Sequence, residues 1–356
     1  MLFQYQTLLL SNIANFMTPN KQNNFGFLRL LLASLVVVSH SPEIVDGNKN
    51  REILTNIFGT ITFGQLAIDG FFLISGYLIL KSFYASSGLK SYLLKRVLRI
   101  YPAFIAASFF CILIVAPLSS GWAVIGQLGI KDWLFTVFKM SILETPSVEG
   151  VKVISLNGSM WSIWLEFVCY LSIPTFFYLG LHKRGLYLVA LLGIVSIYLY
   201  TQFTQKNMWL PYPIRLDFHQ STRLLTAFLV GGAFHLFRDK ISWNKQYTYI
   251  ALLLLFASLF NKNFAELGLF VFGGYLLFNF ALNYKNKLLN NIGVEADISY
   301  GVYLYAWPIQ ILIVQHYATI NPHFLTLITL VLAAIMGYFS WILVEKPFMH
   351  MKKRLV

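Results

Sequence analysis

Ten apolar runs, separated by short polar segments rich in Lys and Arg, set the pattern of the chain. They fall near 26–43, 62–81, 101–119, 160–180, 185–203, 222–238, 247–261, 264–284, 297–317 and 324–345. Each is long enough, or nearly so, to cross about 30 Å of hydrocarbon as a helix, and the seventh is the shortest. The pattern therefore predicts an all-α fold: a polytopic membrane helix bundle of about ten transmembrane helices, forming one domain over 25–350. Residues 1–24 read as an N-terminal cytoplasmic or interfacial overhang. They lack the basic start and small-residue cleavage site of a signal peptide. Residues 351–356 read as a basic cytoplasmic tail.

Composition narrows the class. Of 356 residues, 57% are hydrophobic and only 12% charged, against roughly 25% charged in a soluble domain. A net charge of +13 invites a nucleic-acid reading, but the basic residues sit between apolar runs rather than on a solvated face. No nucleic-acid partner is expected; membrane lipids are. Cys111 and Cys169 both fall within apolar runs, so we expect neither a disulfide framework nor a metal site.

Charge also sets orientation. With the N-terminus inside, 18 of the 27 basic residues fall on the inner side, which predicts cytoplasmic termini in a cytoplasmic (inner) membrane. Counting Gly121–Leu143 as an eleventh span would bury Lys131, Asp132 and Lys139 and erase that bias. Residues 120–159 are therefore expected to be an outer segment, partly re-entrant or interfacial, with Trp122 and Trp133 at headgroup level.

Ionisable groups inside such runs are costly and point to function. Arg29 and His40 stand eleven positions apart, close to three helical turns, so they share one face of the first helix about 16 Å apart along its axis. Arg29 also suits a snorkelling anchor, and His40 a satisfied core histidine. Asp69 lies in the second run beside Gly70, Ser75 and Gly76. Glu166 lies in the fourth, after Asn157, Ser159, Trp161 and Ser162. Counted from the outer boundary, His40, Asp69 and Glu166 come about 5, 10 and 9 Å deep and share a layer. A carboxylate beside an imidazole fixes its tautomer and keeps it basic, as a general base requires. Which of the two acids pairs with His40 is left open. On the inner side Arg96 and Arg99, three apart with Lys95 and Tyr101 alongside, suit a forked phosphate clamp, or ordinary inner-loop charge.

Taken in order, Arg29 with His40, DGFFLISGYLI, KRVLRIYPAF, NGSMWSIWLEF, SYGVYLY and SWILVEKPF resemble the integral membrane acyltransferase-three family over about 25–350. Members of that family O-acylate surface polysaccharides, lipid-linked sugars and related acceptors. The resemblance implies that His40 is the catalytic histidine and Arg29 the essential arginine of the first helix. It implies that Arg96 and Arg99 contact the phosphates of acyl-CoA. Ser75 and Gly76 match the glycine-serine motif, and Trp161 and Glu166 the tryptophan-glutamate motif. One departure is clear: where many relatives carry a histidine before the last residue and proline, this chain has Ala306, Trp307 and Pro308.

The expected activity is a membrane O-acyltransferase that moves an acyl group, acetyl in the first instance, from cytoplasmic acyl-CoA to a carbohydrate or lipid-linked sugar hydroxyl. In that reading His40, Asp69 and Glu166 are catalytic. Arg29, Ser75, Arg96, Arg99 and Tyr101 bind the acyl-CoA donor, and Asn157 and Trp161 the acceptor. General-base catalysis and a covalent acyl-histidine both remain open. A secondary transporter of a small anionic or sugar-like solute is the competing class, but no matching pair of interrupted helices appears in the two halves. A non-catalytic envelope scaffold leaves a histidine and two acids at one depth without a reason.

Overall fold

The computed structural model describes residues 23–122, 129–141, 144, 155–204, 209–210 and 216–355. Lys21, Lys152, Lys206, Arg215 and most of the N-terminal overhang lie outside the described residues, as does much of 120–159.

Each expected run corresponds to a helix: α1 (Phe25–Asp46), α2 (Phe63–Tyr84), α3 (Leu89–Ser120), α4 (Gly158–Tyr178), α5 (Arg184–Thr204), α6 (Phe218–Leu236), α7 (Lys245–Ser258), α8 (Ala265–Asn283), α9 (Ser299–His316) and α10 (Pro322–Met351). Seven of these are long and apolar enough to cross a membrane; α6, α7 and α9 are not. At 14 residues α7 is short, whereas α6 and α9 are interior helices whose polar positions, Arg223 and Gln310 among them, are buried. Antiparallel pairing in Trp209–Leu210 and Leu216–Asp217 is the only strand structure among the described residues. The fold is an all-α polytopic bundle.

Successive helices alternate in direction. Three contacts fix the antiparallel register of α1 against α2. Ser39 faces Gly64, Leu32 faces Gly70, and the Phe25 and Tyr77 rings lie 5.7 Å apart. His40 is thus level with the start of α2, and Arg29 with Ser75. One end of the bundle gathers Arg29, Lys81, Arg96, Arg99 and Asp297; we call it the basic end. At the opposite end Gln310 donates to the Val37 carbonyl and to Ser41 Oγ, and Thr326 donates to that same Oγ at 2.7 Å, tying α1, α9 and α10 together.

The closest helix pair is α2 with α6. A Cβ on Gly76 would lie 1.9 Å from the Phe228 carbonyl oxygen, and one on Gly231 2.0 Å from that of Leu73. Small residues let the two backbones touch where lipid supplies no hydrophobic drive.

Candidate active site

A chamber of about 140 Å³, with three arginines toward the basic end, lies between α1, α2, α3, α4 and α9. Arg29, Arg96 and Arg99 line it, as do Ser75, Glu166 and Tyr170; Ile68, Phe71, Ile163 and Tyr303 supply much of its apolar wall.

The three arginines have different surroundings. Asp297 bridges two of them, forming an ion pair with Arg29 Nη2 at 3.0 Å and accepting from Arg99 Nη2 at 2.6 Å. Arg99 also meets Glu345 on α10 at 3.3 Å. Burial pushes the Asp297 carboxyl up, but the Arg99 and Arg29 guanidiniums outweigh it, with help from the Ser299 hydroxyl, and hold it at about 2. Arg96 has no carboxylate within ion-pair distance among the described residues. Its Nη2 donates to Ser82 Oγ at 3.2 Å, and its guanidinium lies 5.8 and 5.9 Å from the Tyr92 and Tyr170 ring centres. The Nε atoms of Arg96 and Arg29 are buried without a hydrogen-bond partner. Two buried donors on chamber-lining guanidiniums thus await an acceptor. A phosphate offers one, and Arg96 is the cation with charge to spare.

Glu166 belongs to this chamber. Its Oε1 accepts from Ser75 Oγ at 2.7 Å and from the Tyr170 hydroxyl. Since Ser75 is level with Arg29, Glu166 stands about 16 Å along the bundle from His40 rather than in its layer. The reason lies at the start of the helix: Asn157, Ser159 and Met160 are already buried, so α4 starts inside the bundle and depth counted from its first residue is too shallow.

Asp69 does not pair with His40 either. It faces α6, where Arg223 Nη1 donates to both of its oxygens at 2.9 and 3.0 Å. Glu266 joins the same Nη1 at 3.4 Å and accepts from Tyr198 at 2.5 Å. Arg223 is 1% exposed. Nor does Tyr101 line the chamber, since its hydroxyl is taken by the Phe138 carbonyl at 2.9 Å. Trp161 is half-buried at the start of α4 and does not line the chamber. Asn157 is fully buried, donates to the Leu304 carbonyl at 2.7 Å and leaves its Oδ1 without a partner.

His40 lies at the other end of α1. Its Nδ1 is 3.1 Å from Glu43 Oε2, and its Nε2 bonds to no described residue. Trp307, in the segment that departs from the family pattern, packs edge-on against the imidazole with ring centres 4.8 Å apart. The indole is held by its own bond to the Ser155 carbonyl and by Gly158, where a Cβ would come within 2.6 Å of it. Phe71 and Tyr303, with ring centres 6.0 Å apart, both line the chamber. The Tyr303 hydroxyl is pinned by the Ser159 carbonyl at 2.5 Å and by Ser162 at 2.9 Å.

Sequence reasoning missed Glu43, Arg223, Asp297, Glu345 and Tyr303. Two left a usable signal: Glu43 is three residues beyond His40, and Arg223 is a cation inside an apolar run that matches the acid of another.

Comparison with known proteins agrees over nearly the whole chain. The family model described as "Acyltransferase domain", of the acyltransferase-three family, matches residues 23–345. The chain is 26% identical over 343 residues to a protein of Shigella phage Sf6 named "O-acetyl transferase", covering 93% of this chain and 97% of that one. It is 24% identical over 375 residues to "Nodulation protein 10" of Rhizobium leguminosarum bv. viciae, covering 94% and 95%. No solved structure matches the chain. With the family model covering the bundle and its chamber, the chain belongs to the acyltransferase-three family and is a multi-pass membrane acyltransferase.

Proposed function

We propose that the protein is an O-acetyltransferase of the cytoplasmic membrane that crosses it ten times with both termini inside. Its donor is acetyl-CoA from the cytoplasm, and its acceptor is a hydroxyl of an extracytoplasmic or lipid-linked carbohydrate. The name of the phage relative supports the acetyl group, and the excess of basic residues at one end supports the sidedness.

The observation that carries this reading is Arg96, a half-buried guanidinium that lines the chamber near the basic end with a buried, unsatisfied Nε and no acid partner among the described residues. There it meets a donor phosphate, Arg29 adds a second open N–H, and Arg99 is held as part of the frame. The apolar wall from Ile68 to Phe71 receives the acyl end. His40 then serves as general base at the acceptor side, reached when Phe71 moves away from the pinned Tyr303. Ser75 and Glu166 take part on the donor side. Trp161 lines the approach of the acceptor, and the buried Asn157 braces it from behind through the Leu304 carbonyl.

The test is transfer of labelled acetyl from acetyl-CoA by the purified protein. His40→Ala should lose about 10²–10⁴-fold in kcat, the usual contribution of a general base. Arg96→Ala should raise the apparent KM for acetyl-CoA about tenfold or more, as loss of one charge-assisted phosphate contact does. Full turnover in the first variant removes the base, and an unchanged KM in the second removes the donor site.

A further inference from the structure

We infer that Glu43 is the positioning residue of His40, fixing the tautomer that leaves Nε2 as the base. The inference rests on the proposed role of His40 in acyl transfer.

Residues three apart on a helix share a face, so the contact between Nδ1 and Glu43 Oε2 at 3.1 Å is local to α1 and needs no other helix to form it. A carboxylate only accepts, so the proton of the neutral imidazole sits on Nδ1 and the lone pair on Nε2. Trp307 holds the ring from the side, at 4.8 Å and 77° between planes, and is itself wedged by Gly158. The imidazole is therefore held at one nitrogen and along one edge, with the reactive nitrogen free of partners among the described residues.

Among the described residues, Glu43 is the charged group in contact with the ring. From α9 Trp307 packs on the ring, while Gln310 and, from α10, Thr326 bond to the neighbouring Val37 carbonyl and Ser41 hydroxyl of α1; none of the three is titratable. Beyond the end of α1, Asp46 pairs with Arg51, and the oxygens of Glu52 accept from the backbone N–H groups of Thr55 and Phe63.

The step balances without any further reagent. Nε2 takes the proton of the acceptor hydroxyl as that oxygen bonds to the thioester carbonyl carbon. The C–S bond then breaks, and the departing thiolate takes the proton from Nε2 to leave as a thiol. Glu43 keeps its charge throughout and stabilises the transient imidazolium.

Steady-state acetyl transfer by the full chain, with KM for acetyl-CoA and Tm in detergent measured alongside, tests the assignment. Glu43→Ala should lower kcat about 10- to 100-fold, part of what a general base contributes, with donor KM within about twofold and Tm unchanged. Glu43→Gln keeps an acceptor for Nδ1–H and should recover kcat to within about tenfold of the parent protein. An unchanged kcat in Glu43→Ala, with His40→Ala inactive, overturns the role of Glu43 alone. Full activity in His40→Ala overturns the proposed function beneath it. Equal losses in the Ala and Gln variants, accompanied by a lower Tm, mark a structural role and also overturn the assignment.

Discussion

Arg96 and Arg99 are three residues apart, yet their environments give them opposite duties. Arg99 answers Asp297 and the nearly inaccessible Glu345, so removing it strands a buried acid. We expect Arg99→Ala to cost roughly 2–4 kcal/mol, somewhat less than the loss of one partner from a fully buried pair, and to appear as a lower Tm even without donor. Arg96→Ala should leave Tm nearly unchanged and act on donor KM. Asp297 carries a pH prediction. Its folded carboxyl titrates at about 2, below the usual 3.8, so it contributes about 2 kcal/mol that is present above pH 4 and lost as pH falls toward 2. Thermal unfolding between pH 2 and 8 should show this acid loss in the parent protein and lack it in Asp297→Asn. The spacing of Arg96 and Arg99 was legible in the sequence as a pair on one face. Their division was not, because the acids that separate them come from positions 297 and 345, far along the chain.

At the scale of helices, α2 has two working faces. One carries Ser75 and Phe71 to the chamber; the other presses Gly76 and Asp69 against α6. A methyl group at Gly76 would overlap the Phe228 carbonyl, and backbone cannot yield as a side chain does. Gly76→Ala should therefore destabilise the bundle by about 1–3 kcal/mol or more, seen as a Tm drop in detergent. Asp69→Ala strands Arg223 and should cost about 3–5 kcal/mol, whereas Asp69→Leu combined with Arg223→Leu should cost much less than the two single changes added together. A double-mutant cycle on Tm checks this.

The sequence placed the helices well because each is an unbroken apolar run, and a run long enough for lipid has few other conformations. It misplaced Asp69 and Glu166 because hydropathy gives depth along a helix from an assumed boundary and says nothing of which way a side chain turns. Glu166 comes out too shallow because the buried first turn of α4 looks, by its Asn, Gly and Ser, like a surface loop. Glu43 escaped notice because it follows Pro42 near the end of a run, where acids are ordinarily solvated.

For the molecule as a whole, alternating helices carry the loop at Val294 and the turn at Tyr317 to opposite ends of α9, both well exposed. The two natural cysteines are buried. Cysteines introduced as Val294→Cys and Tyr317→Cys should therefore react with a membrane-impermeant maleimide from opposite sides of intact cells' membranes, the first only after the inner face is opened. Labelling of both from outside would refute the ten-crossing arrangement.

The ionic latch at the basic end joins residues 29, 99, 297 and 345, which enter the membrane at widely separated times during synthesis. A nascent chain that has inserted α1 to α9 already holds Arg29, Arg99 and Asp297 but still lacks Glu345. The cluster is then complete only once the last helix has left the ribosome, so the final stretch of chain to insert is the one that supplies the second acid of Arg99.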